Sequence, residues 1–168
     1  YKHEFLSGNW TNKKIFIVFE GVLSQASVKI NGKPATDGSQ TGFYQFTCDI
    51  SSLLRYDEPN LLEVNVGNSA LGGDHKNDFI GAGGIFAPVY LKIVPDVYIA
   101  RVAIDARSNG NFTMQVYCHN TQPSQLIEVQ IQDLNGKIVG TPLQVNATDI
   151  AELKRQLTIF KTWNPENP

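Results

Sequence analysis

Residues 15–22, with the sequence IFIVFEGV, decide the fold class of this chain. Ile15, Ile17 and Phe19 fall on one side of an extended backbone, and apolar residues also occupy the positions between them. Side chains alternate between the two faces of a β-strand, so both faces of this strand are apolar. Because such a strand must be covered on both sides, we predict that it lies in the centre of a sheet.

The next stretch, residues 26–30, predicts a strand with one buried face. Ala26, Val28 and Ile30 alternate there with polar residues, and the run ends at Asn31-Gly32. Both residues of that dipeptide tolerate a positive φ, which makes it the strongest short signal for a tight β-hairpin. The chain is therefore expected to turn back on itself directly after Ile30.

The same two-residue alternation recurs along the chain, while helical periodicity is nearly absent. Further strands are predicted at residues 44–50, 62–66, 89–93, 112–118, 127–131 and 153–159, with a second hairpin turn at residues 133–137. One pattern closes near Pro95 and another begins after it. Short strands joined by turns at this spacing predict antiparallel sandwiches, the second of them immunoglobulin-like.

Length and composition are compatible with two small domains and exclude some functions. The chain has 168 residues, of which 42% are hydrophobic, and its net charge is −2. No basic stripe and no apolar run of membrane-spanning length is present, so neither nucleic acid nor a membrane is expected as a partner. Cys48 and Cys118 are expected to be buried free thiols, and they leave the redox compartment open.

Residues 67–84 form a glycine-rich stretch that differs from the rest of the chain. It contains few apolar residues, and it carries Asp74, His75 and Asp78. A loop of this length inside a compact domain is uncommon and is often functional. His75 beside Asp74 suggests a metal pair, but no second histidine lies nearby, so a solvated loop residue is the preferred interpretation.

Six stretches of the chain follow a recognisable pattern: residues 17–22 (IVFEGV), 26–32 (ASVKING), 42–51 (GFYQFTCDIS), 60–66 (NLLEVNV), 83–91 (GGIFAPVYL) and 162–168 (TWNPENP). In this order they resemble family 2 glycoside hydrolases, the group of β-galactosidases, β-glucuronidases and β-mannosidases. The resemblance covers essentially the whole chain. Ala87 departs from it, because the family usually has arginine at that position, and this leaves the substrate subgroup open.

The resemblance implies a jelly-roll sugar-binding domain at residues 1–95 and an immunoglobulin-like β-sandwich at residues 96–168, incomplete at its C-terminus. In this family the chemistry belongs to a (β/α)8 barrel beyond the second sandwich, where two glutamates act as acid/base and nucleophile. We therefore expect a non-catalytic fragment of a retaining exo-glycoside hydrolase. It should carry no catalytic residue, cofactor or metal. Its partners would be carbohydrate, reached through the full-length enzyme, and the catalytic barrel of the same chain.

Asp78 is the one site residue that the resemblance singles out, as a substrate-binding residue. It lies eight residues before Phe86, where the family's galactosidases and glucuronidases carry an aspartate that contacts the terminal sugar or a nearby cation. A carboxylate can accept protons from two sugar hydroxyls. The alternative is that Asp78 caps a turn within its glycine-rich loop.

Other residues with suitable chemistry have structural explanations of equal or greater weight. Glu20, Asp49 and Glu63 are expected to face solvent or cap turns rather than form a catalytic pair. Aromatic side chains that could stack on a sugar are more often core or edge packing residues; they are Trp10, Tyr44, Tyr56 and Phe79.

Two alternatives to the glycosidase fragment stay open at this point. One is a free-standing carbohydrate-binding module, and the other is a structural sandwich of the adhesion type. The sequence leaves the sugar, the linkage and a homo-oligomeric state undecided. It also leaves the compartment undecided, with a periplasmic or secreted location preferred.

Overall fold

A computed structural model describes residues 1–23, 25–36, 44–67, 83–158 and 165 of the chain. In these ranges the fold is all-β, and the only helix is a short 3₁₀ turn at Ser51–Leu53. The chain divides into two compact units, Tyr1–Pro95 and Asp96–Pro168. The all-β class that the alternating sequence predicts is thus confirmed.

The first unit contains nine strands in the described ranges: β1 Lys2–Leu6, β2 Lys13–Phe19, β3 Val22–Leu23, β4 Gln25–Ile30, β5 Lys33–Pro34, β6 Phe46–Asp49, β7 Pro59–Gly67, β8 Gly84–Ile85 and β9 Val89–Pro95. One antiparallel sheet has the order β1-β7-β4-β5 and a second has the order β6-β2-β9. Strands β3 and β8 form a separate short pair. The two larger sheets contribute to one apolar core, so this unit is a β-sandwich.

Strand β2 lies in the centre of its sheet, as its sequence predicts. It pairs with β6 on one side and β9 on the other. Ile15 and Phe19 on its inner face are fully buried, and Val18 on the opposite face is 2% exposed. The continuous apolar run of β2 is therefore explained by cover on both faces.

The hairpin predicted at Asn31-Gly32 joins β4 to β5. Asn31 has a φ of 53° and Gly32 a φ of 78°, so both residues are in the left-handed region that a two-residue type I′ turn requires. On the far side of β4, Val28 pairs with Val64 of β7. Val28 and Ile30 are fully buried, so the predicted alternating face is the core face.

The second unit contains five strands in the part of the chain that the structure describes: β10 Tyr98–Ala106, β11 Asn111–His119, β12 Leu126–Val129, β13 Leu143–Asn146 and β14 Ile150–Gln156. Strands β10, β11 and β14 form one antiparallel sheet, and β12 and β13 form a smaller one. Val116, Ala151 and Leu153 of the larger sheet pack with Ile127 of the smaller one. This unit is also built from two sheets around one core.

Two predicted strands begin at other residues than expected, and the pairing after the second predicted turn is shorter than expected. The strand predicted from residue 44 begins at Phe46, and the one predicted around residues 153–159 begins at Ile150. After the turn at residues 133–137, pairing is limited to a single bridge between Gln132 and Ile138. Strand β13 was not predicted, because its four residues give too short an alternation to stand out from the polar residues around it.

Candidate functional site

The two ends of the glycine-rich stretch are held beside each other in the first unit. Gly67, the last residue of β7, pairs with Gln25 of β4. Gly84, at the start of β8, pairs with Leu23 of β3. Leu23 and Gln25 are separated by one residue, so the segment between Gly67 and Gly84 leaves and rejoins the fold at almost the same place. Asp78 belongs to that segment and lies outside the described residues, as do His75 and Phe79.

The returning end of this segment is fixed by a close contact between Gly21 and Phe86. A Cβ atom on Gly21 would lie 2.5 Å from two carbons of the Phe86 ring, so any larger residue there would require the ring, which is 56% exposed, to shift. The backbone amide of Phe86 also donates a hydrogen bond to the carbonyl oxygen of Gly21, at 3.3 Å. The FEGV motif (residues 19–22) and the GGIF motif (residues 83–86) therefore pack against each other.

Beside this point the first unit has a cavity of about 500 Å³. Its walls come mainly from apolar side chains of both sheets, among them Ile17, Phe19, Leu62 and Leu91. Its volume and largely apolar walls are those of a typical small-molecule or side-chain pocket. This cavity is a concave feature of the first unit that could hold a ligand or another segment of protein.

Polar groups line the same cavity at a few positions. Tyr1, Lys2 and His3 from the start of the chain line it together with Tyr90 of β9. The amino group of Tyr1 donates to the carbonyl oxygen of Val64 at 2.8 Å, which holds this segment against β7. The cavity can therefore contact the apolar face of a ring and donate a few hydrogen bonds.

Sequence reasoning missed this cavity. It is built from strands that are distant in the chain, and no local pattern reports which core side chains leave a gap. The alternation of Tyr1, His3 and Phe5 was the available signal, because these three residues share one face of an extended strand.

The carboxylates considered in the sequence have the structural roles expected of them. Glu63 lies opposite Lys2 in the pairing of β1 with β7, and their charged atoms are 2.8 Å apart. The side-chain hydrogen bond and the charge of Lys2 lower the pKa of Glu63. Glu20 is exposed.

The Asp49 carboxylate bonds to Ser51, the first residue of the 3₁₀ turn that follows β6. It accepts hydrogen bonds from the Ser51 backbone amide at 2.9 Å and from the Ser51 hydroxyl at 2.5 Å, and the ammonium of Lys14 lies 3.5 Å away. Partial burial acts to raise the pKa of Asp49. The hydrogen bonds from Ser51 and the nearby Lys14 charge outweigh it, so this pKa is lowered.

Two asparagines that belong to the family-like motifs form a buried polar network. Asn60 is 1% exposed, and its Nδ2 donates to the carbonyl oxygens of Arg55 and Glu58 at 2.9 Å and to the Ser7 hydroxyl at 3.2 Å. Its Oδ1 accepts from Asn31 Nδ2 at 2.8 Å. The asparagines of the ING and NLLEV motifs are therefore scaffold residues that hold the hairpin to β7.

The aromatic candidates divide into two groups. Trp10 and Tyr56 are half-buried and pack against the core of the first unit, as predicted. Tyr44 differs from that expectation, since it is 81% exposed and lies just before β6 rather than within it. An exposed tyrosine can contact a sugar face or another protein surface.

The cysteines are free in the structure. Cys48 is buried, and burial raises the pKa of its thiol to about 11. Cys118 is half-buried, so it only partly matches the predicted buried thiol. A neutral, buried thiol such as Cys48 is unreactive.

Within the described ranges, no group of three or more His, Cys, Asp or Glu side chains is arranged to hold a metal ion. In the same ranges, no helix is long and apolar enough to cross a membrane.

The fold and the packed motifs define a chain of two antiparallel β-sandwich units. No family model matches it. A β-galactosidase of Thermoanaerobacter pseudethanolicus is 26% identical over an alignment that covers 99% of this chain and 24% of that protein. A β-glucuronidase of Formosa agariphila is 33% identical over 98% of this chain and 19% of that protein. The chain thus spans about a fifth to a quarter of the length of these relatives.

Solved structures show the same fold. A Bifidobacterium dentium β-glucuronidase superposes with a TM-score of 0.80 at 21% identity, covering 99% of this chain and 34% of the other. A family 2 glycosyl hydrolase of Bacteroides cellulosilyticus superposes with a TM-score of 0.74 at 20% identity, covering 99% and 24%. The resemblance to family 2 glycoside hydrolases is confirmed, and the two units have the β-sandwich fold found in that family.

Proposed function

We propose that this chain is a non-catalytic portion of a retaining exo-glycoside hydrolase of family 2, which supports an active site located elsewhere in the polypeptide. The observation that carries the proposal is the span of the matches. Nearly all of this chain aligns with β-galactosidases and β-glucuronidases, while about three quarters or more of each relative lies outside the alignment. In retaining enzymes the chemistry requires two carboxyl groups about 5–5.5 Å apart. The proposal assigns that pair to the rest of the protein.

In this proposal the first unit, residues 1–95, is the jelly-roll sugar-binding domain. Its contribution to the active site is the glycine-rich segment, with Asp78 as the group that accepts hydrogen bonds from the terminal sugar. Support comes from the anchoring of both segment ends at Leu23 and Gln25. A segment with closely spaced, fixed ends can project its middle residues toward a neighbouring domain without disturbing the sandwich.

The second unit, residues 96–168, is proposed to be the immunoglobulin-like domain. The side of its larger sheet that carries the core also exposes apolar residues on β10: Ile104 is 60% exposed and Val102 41% exposed. Val102 pairs with Val116, and Ile104 with Met114, so the exposed residues share a face with core residues. This apolar surface suits a domain that packs against further polypeptide.

The test compares the longer polypeptide encoded with this chain and the chain alone. We expect the longer protein to hydrolyse nitrophenyl β-galactoside, β-glucuronide or β-mannoside, and residues 1–168 alone to show no turnover. Hydrolysis by the isolated chain that is lost on mutating one of its own carboxylates would contradict the proposal.

Calorimetry with monosaccharides separates the carbohydrate-binding module from the enzyme fragment. For a fragment that contributes one segment to the site, binding by residues 1–168 should be weaker than about 1 mM, which corresponds to about −4 kcal/mol. Micromolar binding would favour an independent carbohydrate-binding module.

A further inference from the structure

Three asparagines of this chain precede a glycine, namely Asn31, Asn109 and Asn135, and the structure places them in different surroundings. In such a pair the glycine amide nitrogen can attack the asparagine side-chain carbonyl carbon, because glycine has no side chain to obstruct the approach. We propose that Asn135 is a site of spontaneous deamidation and that the fold protects Asn31 and Asn109.

The reaction needs only water. The glycine nitrogen gives up its proton to a solvent base and forms a bond to the asparagine Cγ. The bond from Cγ to the side-chain amide nitrogen then breaks, and that nitrogen takes a proton from solvent and leaves as ammonia. Water then opens the resulting succinimide at either carbonyl, which gives aspartate or isoaspartate. The rate therefore depends on how freely the asparagine side chain and the following amide can move toward each other.

Asn31 is held at both ends of its side-chain amide. Its Nδ2 donates to the carbonyl oxygen of Leu53 at 2.9 Å and to Asn60 Oδ1 at 2.8 Å. Its Oδ1 accepts from the backbone amide of Leu61 at 3.0 Å. The side chain must break all three hydrogen bonds before its carbonyl carbon can be attacked, so Asn31 should react most slowly.

Asn109 is held less completely. Its Oδ1 accepts from the backbone amide of Asn111 at 3.0 Å, and its backbone carbonyl oxygen accepts from Gln156 Nε2 at 2.8 Å. The attacking residue, Gly110, is buried and its amide donates to the carbonyl oxygen of Arg107 at 2.9 Å. Attack at this position requires opening of a turn that packs against β14.

Asn135 lies at the tip of an exposed turn, beside the fully exposed Leu134. No described residue forms a hydrogen bond with its side chain. Gly136 is also exposed, and its amide makes only the local turn bond to the carbonyl oxygen of Asp133, at 3.0 Å. Both reacting groups can thus reach each other through a local opening of the turn that leaves the core intact.

The product would change the turn itself. The Asp133 carboxylate accepts hydrogen bonds from the backbone amides of Asn135 at 2.8 Å and of Lys137 at 2.9 Å. A second carboxylate at position 135 would lie close to the first and repel it. Isoaspartate would also lengthen the backbone within the turn that brings Gln132 opposite Ile138.

The experiment is peptide mapping by mass spectrometry after the purified chain has been kept warm in mildly alkaline buffer. We expect aspartate and isoaspartate to accumulate at Asn135 at least about tenfold faster than at Asn31, with Asn109 between them, because Asn31 must release three hydrogen bonds. The same chain in concentrated denaturant is the control. There the three asparagine–glycine pairs should react at similar rates, since the fold no longer distinguishes them.

The Asn135→Ser variant provides the matched second measurement. It should remove the fast-forming product and leave the slow reaction at Asn31 and Asn109 unchanged. Equal rates at Asn135 and Asn31 in the folded chain would overturn the proposal. The proposal would also be overturned if the ratios between the three deamidation rates were the same in the folded and the denatured chain.

Discussion

Asn31 and Asn60 are joined side chain to side chain by a hydrogen bond of 2.8 Å that links the β4–β5 hairpin to β7. Asn60 lies at the centre of this network, because its Oδ1 also accepts from the Arg55 amide at 2.8 Å and its Nδ2 donates to three further oxygens. The arrangement satisfies backbone groups where strands end, and such groups are costly to bury unpaired. It gives a physical reason for asparagine at both motif positions.

The first prediction follows from that network. Asn60→Ala should lower the free energy of unfolding of the first unit by about 2–4 kcal/mol, because it leaves several buried donors and acceptors unpaired. Asn65→Ala is the matched control, since Asn65 lies on the same strand but is exposed, and it should change stability by about 0.5 kcal/mol or less. Urea denaturation of the two variants measures the difference, and equal midpoints would contradict the role assigned to Asn60.

A second prediction tests the contact between Gly21 and Phe86. Gly21→Ala should destabilise the first unit by about 1–3 kcal/mol, because the new methyl group would overlap the ring of Phe86. Phe86→Ala should relieve part of that cost, so the double variant should be more stable than the sum of the single changes allows.

Gly32→Ala is the control for this double-variant cycle. Gly32 has a φ of 78°, and no heavy atom lies within 4 Å of the place that an added methyl group would occupy, so its substitution strains only the backbone. Phe86→Ala should not rescue it. Strict additivity between Gly21→Ala and Phe86→Ala would show that the ring does not hold the returning end of the glycine-rich segment.

The third prediction concerns acid. The pKa of Asp49 is lowered from its ordinary value of 3.8, so its ionised form is favoured in the folded state. This contribution to stability is complete above pH 3.8 and is lost as the pH falls through the lowered folded-state pKa. Asp49→Asn keeps a side-chain acceptor for Ser51 but removes the charge beside Lys14.

Denaturation at a series of pH values measures that contribution. The stability difference between the natural chain and Asp49→Asn should be largest near neutral pH and shrink below pH 3.8. A difference that grows on acidification would have the wrong sign for a lowered pKa.

The sequence predicted the strands that alternation or a turn dipeptide marks clearly. The central position of β2 and the hairpin at Asn31-Gly32 both followed from local chemistry, because a strand with two apolar faces needs two layers of cover and a type I′ turn needs positive φ. Strand β13 was missed and the pairing after residue 137 was overestimated. Short strands at the edge of a small sheet depend on their partners more than on their own residues.

The candidate site was less predictable than the fold. The cavity is lined by Phe5, Phe19 and Leu91, which come from three strands that are far apart in sequence. Its presence depends on how these side chains pack together, and no local sequence pattern reports that. The Gly21–Phe86 contact likewise joins two motifs that the sequence presents separately. The role of Asp78 was inferred only from resemblance, and it stays a prediction.

The last prediction tests Asp78 in the longer polypeptide that we propose to be a glycoside hydrolase. If its carboxylate accepts a hydrogen bond from the terminal sugar, Asp78→Ala should remove a charge-assisted bond worth about 1.5–3 kcal/mol. If the bond acts in the transition state, its loss lowers kcat/KM by roughly 10- to 150-fold and leaves the melting temperature unchanged.

Asp74→Ala is the matched control for Asp78→Ala, because it removes the same charge from the same glycine-rich segment and should leave kcat/KM near its natural value. A turn-capping aspartate would behave in the opposite way, since its loss would lower the melting temperature while the kinetics stayed the same. Steady-state kinetics and thermal denaturation of the two variants distinguish these roles, and unchanged kcat/KM in Asp78→Ala would leave the carboxylate with a structural role only.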